Sequence, residues 1–390
     1  MVKAFHFSCV PSIRFKPGAL ADLPAVIKNY GTRVALVTGK DSFHHSPSSA
    51  KLLSAFDTHG ITHTRIIISG EPSPAVIDQA TGALNEKSID AVVAIGGGSV
   101  LDAGKAVSAM YHIPGSVKEY LEGVGTKTHP GTKLPFIAIP TTSGTGSEAT
   151  NNSVISETGK NGFKRSLRHP NFIPDVALVD PELTLLCPPD ITAASGMDCF
   201  TQLTEAFLSD RSGNFTDALA IEGLKEVKTS LQTAYLKGDD LNARAGMSFA
   251  ALVSGICLAN AGLGTVHGFA SAIGGMFNIP HGLVCGKLMA PANEISVREL
   301  REQKGDTDAL IKYTRLGRIF LNEQNKSDDF YIDGFISYLQ QMSDFFSLPG
   351  FNQYGINEED IESLCEITEN KNNPVKLSKE NMAEILRQVL

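Results

Sequence analysis

The residues of this chain best suited to bind a metal are two histidines, His267 and His281, which lie 14 positions apart and are each followed by glycine. Asp198 and Gln202 are separated by four positions, so on a helix their side chains would lie on one face. Two imidazoles, a carboxylate and an amide oxygen suit a divalent ion such as Zn²⁺ or Fe²⁺. The alternative is that these are core or capping residues, which is the commoner role of a histidine in an apolar helix. A metal site here therefore needs an independent signal elsewhere in the chain.

A glycine-rich loop in the first half of the chain provides that signal. Residues 96–99, Gly-Gly-Gly-Ser, join an apolar strand pattern to a helical pattern. Glycine lets the backbone approach a phosphate closely, and a helix N-terminus offers free N–H groups and the positive end of a dipole. Neither common fingerprint fits, because Leu101 replaces the last glycine of G-x-G-x-x-G, and Ser99 and Ala106 break the Walker A pattern. A tight turn is the alternative, but three successive glycines favour a pyrophosphate site.

A second loop, residues 141–147, clusters hydroxyl groups and glycines directly after another predicted strand. In open α/β sheets, ligands bind beyond the carboxyl ends of the strands. We therefore expect the two loops to face one crevice.

The predicted secondary structure differs between the two halves of the chain. Strand and helix patterns alternate through about residue 185, which indicates a doubly wound, mostly parallel sheet. The predicted strands cover residues 13–15, 33–39, 64–70, 90–95, 135–140 and 176–181, and the predicted helices cover 47–59, 74–86 and 100–110. After Pro188 and Pro189, strand-like runs largely vanish and helical patterns continue to Leu390. We expect an α/β domain over residues 1–185 and an all-helical domain over 186–390.

Composition narrows the class of protein. The 390 residues include 42% hydrophobic and 19% charged residues, as in folded soluble proteins. The net charge of −8 argues against nucleic acid or an acidic membrane surface as a partner. No signal peptide and no transmembrane helix are expected, because no uninterrupted apolar run is long enough. The six cysteines are scattered and form no Cys-x-x-Cys pair, which favours reduced thiols and a cytoplasmic location.

Taken together, these motifs resemble the iron-containing (group III) alcohol dehydrogenase family. The matching segments are residues 96–105, 140–148, 180–184, 193–198 and 279–282, whose order and spacing cover nearly the whole chain. The resemblance implies a dehydroquinate synthase-like fold, with an α/β domain that binds NAD or NADP and an all-helical domain that binds a divalent metal. Catalysis would occur in the cleft between the two domains, in a homodimer or a higher homo-oligomer.

The resemblance assigns metal ligands residue by residue. Asp198, His267 and His281 match three family ligands, while Gln202 stands where the family has a fourth ligand, a histidine. A glutamine oxygen is a weaker, neutral donor, but three ligands and an open position suffice for a catalytic metal. Ser271 stands where several members carry a second histidine that is thought to help in proton transfer. The route of the proton is therefore unassigned, and no catalytic residue is named beyond the metal site.

The resemblance also assigns the nucleotide site. The positions at which the family holds NAD(P) are Gly97, Gly98, Ser99, Asp102, Thr141, Thr142, Thr145 and Lys164. Gly39 stands where many NAD-preferring members have an aspartate that bonds the ribose and repels a 2′-phosphate. Without that carboxylate the usual barrier to NADP is missing. The alternative is that Gly39 only relaxes a turn after the strand.

The function implied is a metal-dependent NAD(P) alcohol dehydrogenase or aldehyde reductase acting on a primary or secondary alcohol. The departures at Gln202 and Ser271 suggest a polar, sugar-like or acidic substrate. One alternative is a non-redox enzyme of the dehydroquinate-synthase type, which would regenerate its NAD within each turnover. Another is a degenerate member that keeps the nucleotide site but has lost its metal.

Overall fold

The computed structural model describes residues 4–160, 162–302 and 307–390. Six strands form one parallel sheet in the spatial order β1-β8-β5-β4-β2-β3, and two form a separate antiparallel pair, β6-β7. The strands are β1 (Ser12–Phe15), β2 (Arg33–Gly39), β3 (Thr62–Ile68), β4 (Ala91–Gly96), β5 (Phe136–Pro140), β6 (Asn152–Glu157), β7 (Phe163–Arg168) and β8 (Val176–Val179). The helices of the first half are α1 (Leu23–Ile27), α2 (Pro47–His59), α3 (Pro74–Gly82) and α4 (Gly98–Met110).

The central strands are apolar on both faces because helices cover both faces of the sheet. Alternate residues of β2 point to opposite sides, since side chains alternate along a strand. Ala35 and Val37 join a core with α3 and α4, whereas Val34 and Leu36 join a core with α1 and α2. This arrangement confirms the predicted doubly wound parallel sheet.

The register of the sheet brings the candidate nucleotide loops together. Gly96 pairs with Pro140 at the ends of β4 and β5, and Thr38 pairs with Ile95 at the ends of β2 and β4. Because these strands are parallel and in register, Gly39 and both polar loops follow the carboxyl ends of neighbouring strands and lie on the same side of the sheet.

The antiparallel pair β6-β7 was not predicted. The β7 sequence, Phe-Lys-Arg-Ser-Leu-Arg, lacks the run of apolar residues that marks a buried parallel strand, and five of its six residues keep some exposure. The pair is held in place by tertiary contacts instead. On the β6 side, Ser153 Oγ donates to the backbone oxygen of Asp102 at 2.7 Å, and Val154 N–H donates to the Asp102 carboxylate at 3.1 Å.

In the part of the second half that the structure describes, all regular secondary structure is helical. Its helices are α5 (Pro189–Leu208), α6 (Asn214–Leu236), α7 (Leu241–Ala261), α8 (Thr265–Met276), α9 (His281–Glu302), α10 (Thr307–Phe320), α11 (Asp328–Phe345), α12 (Ile361–Ile367) and α13 (Lys379–Arg387). The last strand ends at Val179 and α5 begins at Pro189, and these bounds support our proposal of a domain boundary near residue 185.

Helix α7 is the one described helix that is long and apolar enough, by length and composition, to cross a membrane. In this structure 67% of its most apolar stretch is buried inside the protein. Leu252 and Ile256 pack against Ala177 and Val179 of β8, so α7 is a core helix that also contacts the sheet.

Candidate metal centre and nucleotide cleft

Three helices bring the candidate metal ligands together. Asp198 lies in the middle of α5, His267 lies in the first turn of α8, and His281 is the first residue of α9. Asp198 and His267 are buried, whereas His281 keeps partial exposure. The cluster therefore lies inside the helical half and is reachable from solvent on one side.

The donor atoms of this cluster lie at metal-site distances from one another. Asp198 Oδ1 is 3.3 Å from His267 Nε2 and 3.8 Å from His281 Nε2. A fourth side chain, Cys285, places its Sγ 3.6 Å from His267 Nε2 and 3.8 Å from His281 Nε2. One donor atom from each of these four residues lies within 4.8 Å of the others. The sequence prediction did not include Cys285, although it follows His281 by one helical turn, the spacing that linked Asp198 to Gln202.

Glu205 fixes the orientation of the His267 ring. His267 Nδ1 lies 2.6 Å from Glu205 Oε2, and the other carboxylate oxygen accepts the N–H of Val266 at 2.7 Å. A carboxylate on one ring nitrogen turns the other nitrogen toward the metal and raises its basicity. Glu205 is a functional residue that sequence reasoning missed, since it lies 62 positions from its partner.

Gln202 is directed at the cluster through its amide nitrogen. Its Nε2 donates to Asp198 Oδ2 at 3.4 Å, and its Oε1 accepts the Ser254 hydroxyl at 3.1 Å. The role of Gln202 as a ligand through its oxygen remains a prediction. Ser271, at the second departure from the family pattern, donates to the backbone oxygen of His267 at 2.8 Å and accepts Lys371 Nζ at 3.3 Å.

The protonation of the cluster suits a cation. Burial alone would raise the pKa of Asp198, but His281 and His267 outweigh it and lower that pKa to about 2. Desolvation and the charge of Lys164 lower the pKa of His281 to about 3, so its imidazole is neutral. Burial opposes the charging of His267, yet Cys285 and Glu205 raise its pKa well above the usual value. A divalent ion would replace that proton, as metals do when they bind titratable ligands. The donors thus fit the metal that the sequence predicts.

The two polar loops face one another at the carboxyl ends of β4 and β5. Thr141 N–H donates to the oxygen of Gly96 at 3.0 Å. A Cβ on Gly98 would come within 2.7 Å of Thr145 Cγ2, and one on Gly96 within 2.6 Å of Val100. A Cβ on Gly97 would lie 3.5 Å from Thr142, an ordinary contact. Packing therefore requires a glycine at Gly96 and Gly98, whereas Gly97 has room for a Cβ, so its glycine is better explained by the approach of a phosphate.

Lys164 and Ser99 meet through a residue that the sequence analysis did not single out. Glu71 lies 3.1 Å from Lys164 Nζ and 3.3 Å from Ser99 Oγ. The charge of Lys164 lowers the pKa of His281 and that of Glu71 raises it, so both groups lie within electrostatic range of the metal cluster.

Asp102 differs from the other predicted nucleotide contacts, because both its carboxylate oxygens are bonded within the chain. One accepts the Ser147 hydroxyl and the other the Val154 N–H. Burial raises the pKa of Asp102. A direct contact between Asp102 and the nucleotide remains a prediction.

Comparison with known proteins gives matches along the whole chain. The profile of the family described as "Iron-containing alcohol dehydrogenase" matches residues 11–181, and that of its C-terminal domain matches residues 192–390. Alcohol dehydrogenase 4 of Saccharomyces cerevisiae (strain YJM789) is 31% identical over 393 residues, which covers 98% of this chain and 97% of the yeast protein.

Two solved structures extend the match to three dimensions. A 1,3-propanediol oxidoreductase superposes with a TM-score of 0.88 at 26% identity, and the match covers all of both chains. The sulfoacetaldehyde reductase of Bifidobacterium kashiwanohense, solved in complex with NAD+, superposes with a TM-score of 0.86 at 26% identity and covers 99% of each chain. The likeness therefore includes both halves of the molecule and their arrangement.

Proposed function

Because this chain belongs to the iron-containing alcohol dehydrogenase family, we propose that it transfers hydride between an alcohol and a nicotinamide nucleotide, with a divalent metal at the cluster of Asp198, His267 and His281. The observation that carries the proposal is the position of this cluster. His281 belongs to the metal cluster and is also within electrostatic reach of Lys164 and Glu71, which connect to Ser99 of the glycine-rich loop. One cleft thus offers both metal donors and a phosphate-binding loop.

A divalent metal bound there supplies Lewis-acid chemistry, which favours the alkoxide form of an alcohol. The chain's own residues bind and orient the reactants. Glu205 holds the His267 ring through its Nδ1, and the buried Asp198 carboxylate supplies the negative charge that a cation needs. In this proposal the two polar loops would hold the nucleotide beside the cluster, and the orientation of the two bound reactants would lower the barrier to hydride transfer.

We assign the residues of the site as part of the same proposal. The proposed metal-binding residues are Asp198, His267 and His281, with Gln202 as the position expected for a fourth ligand. The proposed nucleotide-binding residues are Gly39, Gly97, Gly98, Ser99, Asp102, Thr141, Thr142, Thr145 and Lys164. Zn²⁺ and Fe²⁺ both suit the donor set, and NADP is proposed as a second cofactor beside NAD because Gly39 presents no carboxylate to a 2′-phosphate.

For the substrate we propose a polar alcohol or aldehyde, and an acidic one in preference. Lys371 Nζ donates to Ser271, which donates in turn to the backbone oxygen of His267, so this lysine reaches the helix turn that carries one proposed ligand. The loop that carries Lys371 is anchored by the bond from Asn372 N–H to the oxygen of Leu263 at 3.0 Å. A positioned ammonium group favours a carboxylate, sulfonate or phosphate substituent. The similarity to a sulfoacetaldehyde reductase supports the same choice.

We further propose a cytoplasmic homodimer. All six cysteines are free thiols, as in proteins of a reducing compartment. The edge strand β1 is exposed along its whole length, with Ile13 and Phe15 40% and 36% exposed. An apolar edge strand that is left open invites pairing with a second copy.

The experiment that tests the proposed function is a panel of neutral, polar and acidic aldehydes with NADH and NADPH, before and after addition of Zn²⁺ or Fe²⁺. We expect reduction that depends on metal, and loss of both bound metal and activity in Asp198→Ala. The matched control is Asp190→Ala, which removes an exposed carboxylate from the same helix. Full activity in Asp198→Ala, or in protein stripped of metal by chelation, would contradict the proposal.

A further inference from the structure

The fourth ligand position is where this chain departs from its family, and the structure offers a different side chain for it. We propose that Cys285, as a thiolate, is the fourth protein ligand of the divalent ion, and that Gln202 stays outside the coordination sphere. This inference rests on the proposed function, because it concerns the same metal.

The distances around Cys285 match the edges of a tetrahedral site. Metal bonds of about 2.0–2.3 Å to oxygen, nitrogen and sulfur place neighbouring donors of a tetrahedron roughly 3.3–3.8 Å apart. The measured separations are 3.3 Å and 3.8 Å from Asp198 Oδ1 to His267 and His281, and 3.6 Å and 3.8 Å from Cys285 Sγ to the same two Nε2 atoms. These four separations fall in the range of tetrahedral edges, and all four donors lie within 4.8 Å of one another.

The position of Cys285 on α9 explains how it can take the place of the histidine that the family has at position 202. His281 is the first residue of α9, and Cys285 lies four residues further on the same helix, so both side chains lie on one face. His281 and Cys285 reach the cluster from α9, while Asp198 reaches it from α5. The fourth ligand has thus moved from α5, where the family places it, to α9.

The amide oxygen of Gln202 is hydrogen-bonded to a residue outside the metal cluster. Its oxygen, the only atom of the amide that can bind a cation, accepts the hydroxyl of Ser254 at 3.1 Å. Its nitrogen donates to Asp198 Oδ2 at 3.4 Å and so supports the carboxylate from outside the cluster. Gln202 is in this account a positioning residue for Asp198.

A buried cysteine is commonly just a small apolar residue of the core, and Cys257 shows what that looks like in this protein. The Cys257 thiol lies 3.6 Å from a backbone oxygen, that of Thr216. Cys285 Sγ instead lies 3.6 Å and 3.8 Å from the Nε2 atoms of His267 and His281. The surroundings of Cys285 are those of a ligand.

The consequence is a softer site than a set of imidazoles and a carboxylate would form. A thiolate favours Zn²⁺ and other thiophilic ions over the hard cations Mg²⁺ and Mn²⁺. Some catalytic zinc sites expand to five ligands, and a substrate would bind here by such an expansion. We expect zinc to bind this chain more tightly than Mn²⁺ by a wider margin than in a Cys285→Ala variant.

The test replaces the native metal with Co²⁺, whose thiolate bond produces a charge-transfer absorption in the near ultraviolet. Wild-type protein is compared with Cys285→Ser, Cys285→Ala and Gln202→Ala, and Cys257→Ala serves as the control for loss of a buried thiol. Cobalt content is measured on each sample, and Zn²⁺ affinity is measured by competition with a chromophoric chelator. Cys285→Ser keeps the size of the side chain, and circular dichroism verifies that each variant is folded.

We expect the charge-transfer band in wild type, Gln202→Ala and Cys257→Ala, and its loss in both Cys285 variants. Zinc affinity should fall at least roughly tenfold in the Cys285 variants, since even indirect partners of a ligand cost 10–100-fold. Wild-type protein that contains cobalt but lacks the band would overturn the assignment of Cys285 and leave the metal-dependent function intact. A folded wild type that binds neither cobalt nor zinc would overturn both.

Discussion

At the residue scale, the backbone around Gly39 leaves room for a larger side chain. Gly39 ends β2, and a Cβ built there would lie 3.7 Å from Val100 and 3.8 Å from Ser42, which are ordinary contacts. Its φ does not lie in the left-handed region that requires glycine. Backbone strain therefore does not explain this glycine, and we propose that the missing carboxylate is the property that matters.

Gly39→Asp should consequently raise the Michaelis constant for NADPH far more than that for NADH. A carboxylate a few Å from a 2′-phosphate costs about 1–4 kcal/mol. Gly39→Asn has nearly the same shape without the charge and should leave the ratio of the two constants near its wild-type value. Steady-state kinetics with both nucleotides measures the effect, and equal losses with NADH and NADPH would contradict it.

The site could be predicted from the sequence only where its residues follow a local pattern. Asp198, His267 and His281 were found because each belongs to a short motif, and the structure brings them together. Glu205 and Lys371 were missed, because they act on residues 62 and 100 positions away and no local pattern marks such pairs. Cys285 was within reach, since its spacing from His281 is the helical spacing already used for Asp198.

At the scale of elements, the described strands and helices follow the prediction where the sequence has a regular apolar pattern and clear end signals. The helix predicted over residues 47–59 has the same bounds in the structure, because Ser46 caps it, Pro47 opens it and Gly60 ends it in a left-handed conformation. The antiparallel pair β6-β7 was missed, because its strands are polar and are held by contacts with distant residues rather than by their own apolar pattern.

The junction between α4, the second polar loop and β6 is built on buried charges. Lys105 Nζ donates to the oxygens of Ser147 and Asn152 at 2.9 Å and 2.7 Å, and burial lowers its pKa to about 8. Glu148 is buried, its Oε1 has no hydrogen-bond partner, and burial raises its pKa to about 7. The loop that carries nucleotide contacts is therefore tied to the sheet by groups whose charge depends on pH.

Glu148→Gln should stabilise the protein at neutral pH but not at acidic pH. The raised pKa means that the native protein keeps Glu148 protonated where the unfolded chain has already ionised it. Relative to the glutamine variant, wild-type stability should fall as pH rises from about 4.5 to about 7 and then stay level. The difference is of the order of 3 kcal/mol, since one pKa unit is worth about 1.4 kcal/mol.

Urea unfolding of both proteins across this pH range measures the difference. Glu86→Gln removes an exposed carboxylate and is the control, for which we expect no such divergence. A constant gap between wild type and Glu148→Gln at every pH would be the contrary result.

At the scale of the whole molecule, the two edges of the sheet differ. Strand β1 lies at one edge and β3 at the other. Phe15 of β1 is in edge-to-face contact with Phe249 of α7, with ring centroids 6.4 Å apart, and both rings remain partly exposed. An open strand edge next to exposed aromatic rings is the surface we propose for the homodimer.

Phe15→Lys should convert the proposed dimer to monomer, because a charge on the edge strand opposes pairing with a second copy. Ile67→Lys is the matched control, since Ile67 is 52% exposed on the opposite edge strand. Light scattering after size-exclusion chromatography measures the mass. Dissociation by Ile67→Lys but not by Phe15→Lys would move the interface to the other edge, and a monomeric wild type would remove it.

We propose that one cleft joins a metal to a nicotinamide nucleotide in a net redox reaction. The most direct measurement is the amount of NADH or NADPH that accumulates from an alcohol, together with the carbonyl product, in metal-loaded and chelated protein. We expect one reduced nucleotide for each carbonyl formed, loss of the reaction on chelation, and its return with Zn²⁺ or Fe²⁺. Metal-loaded protein that binds the nucleotide and converts substrate, yet accumulates no reduced nucleotide, would contradict the account.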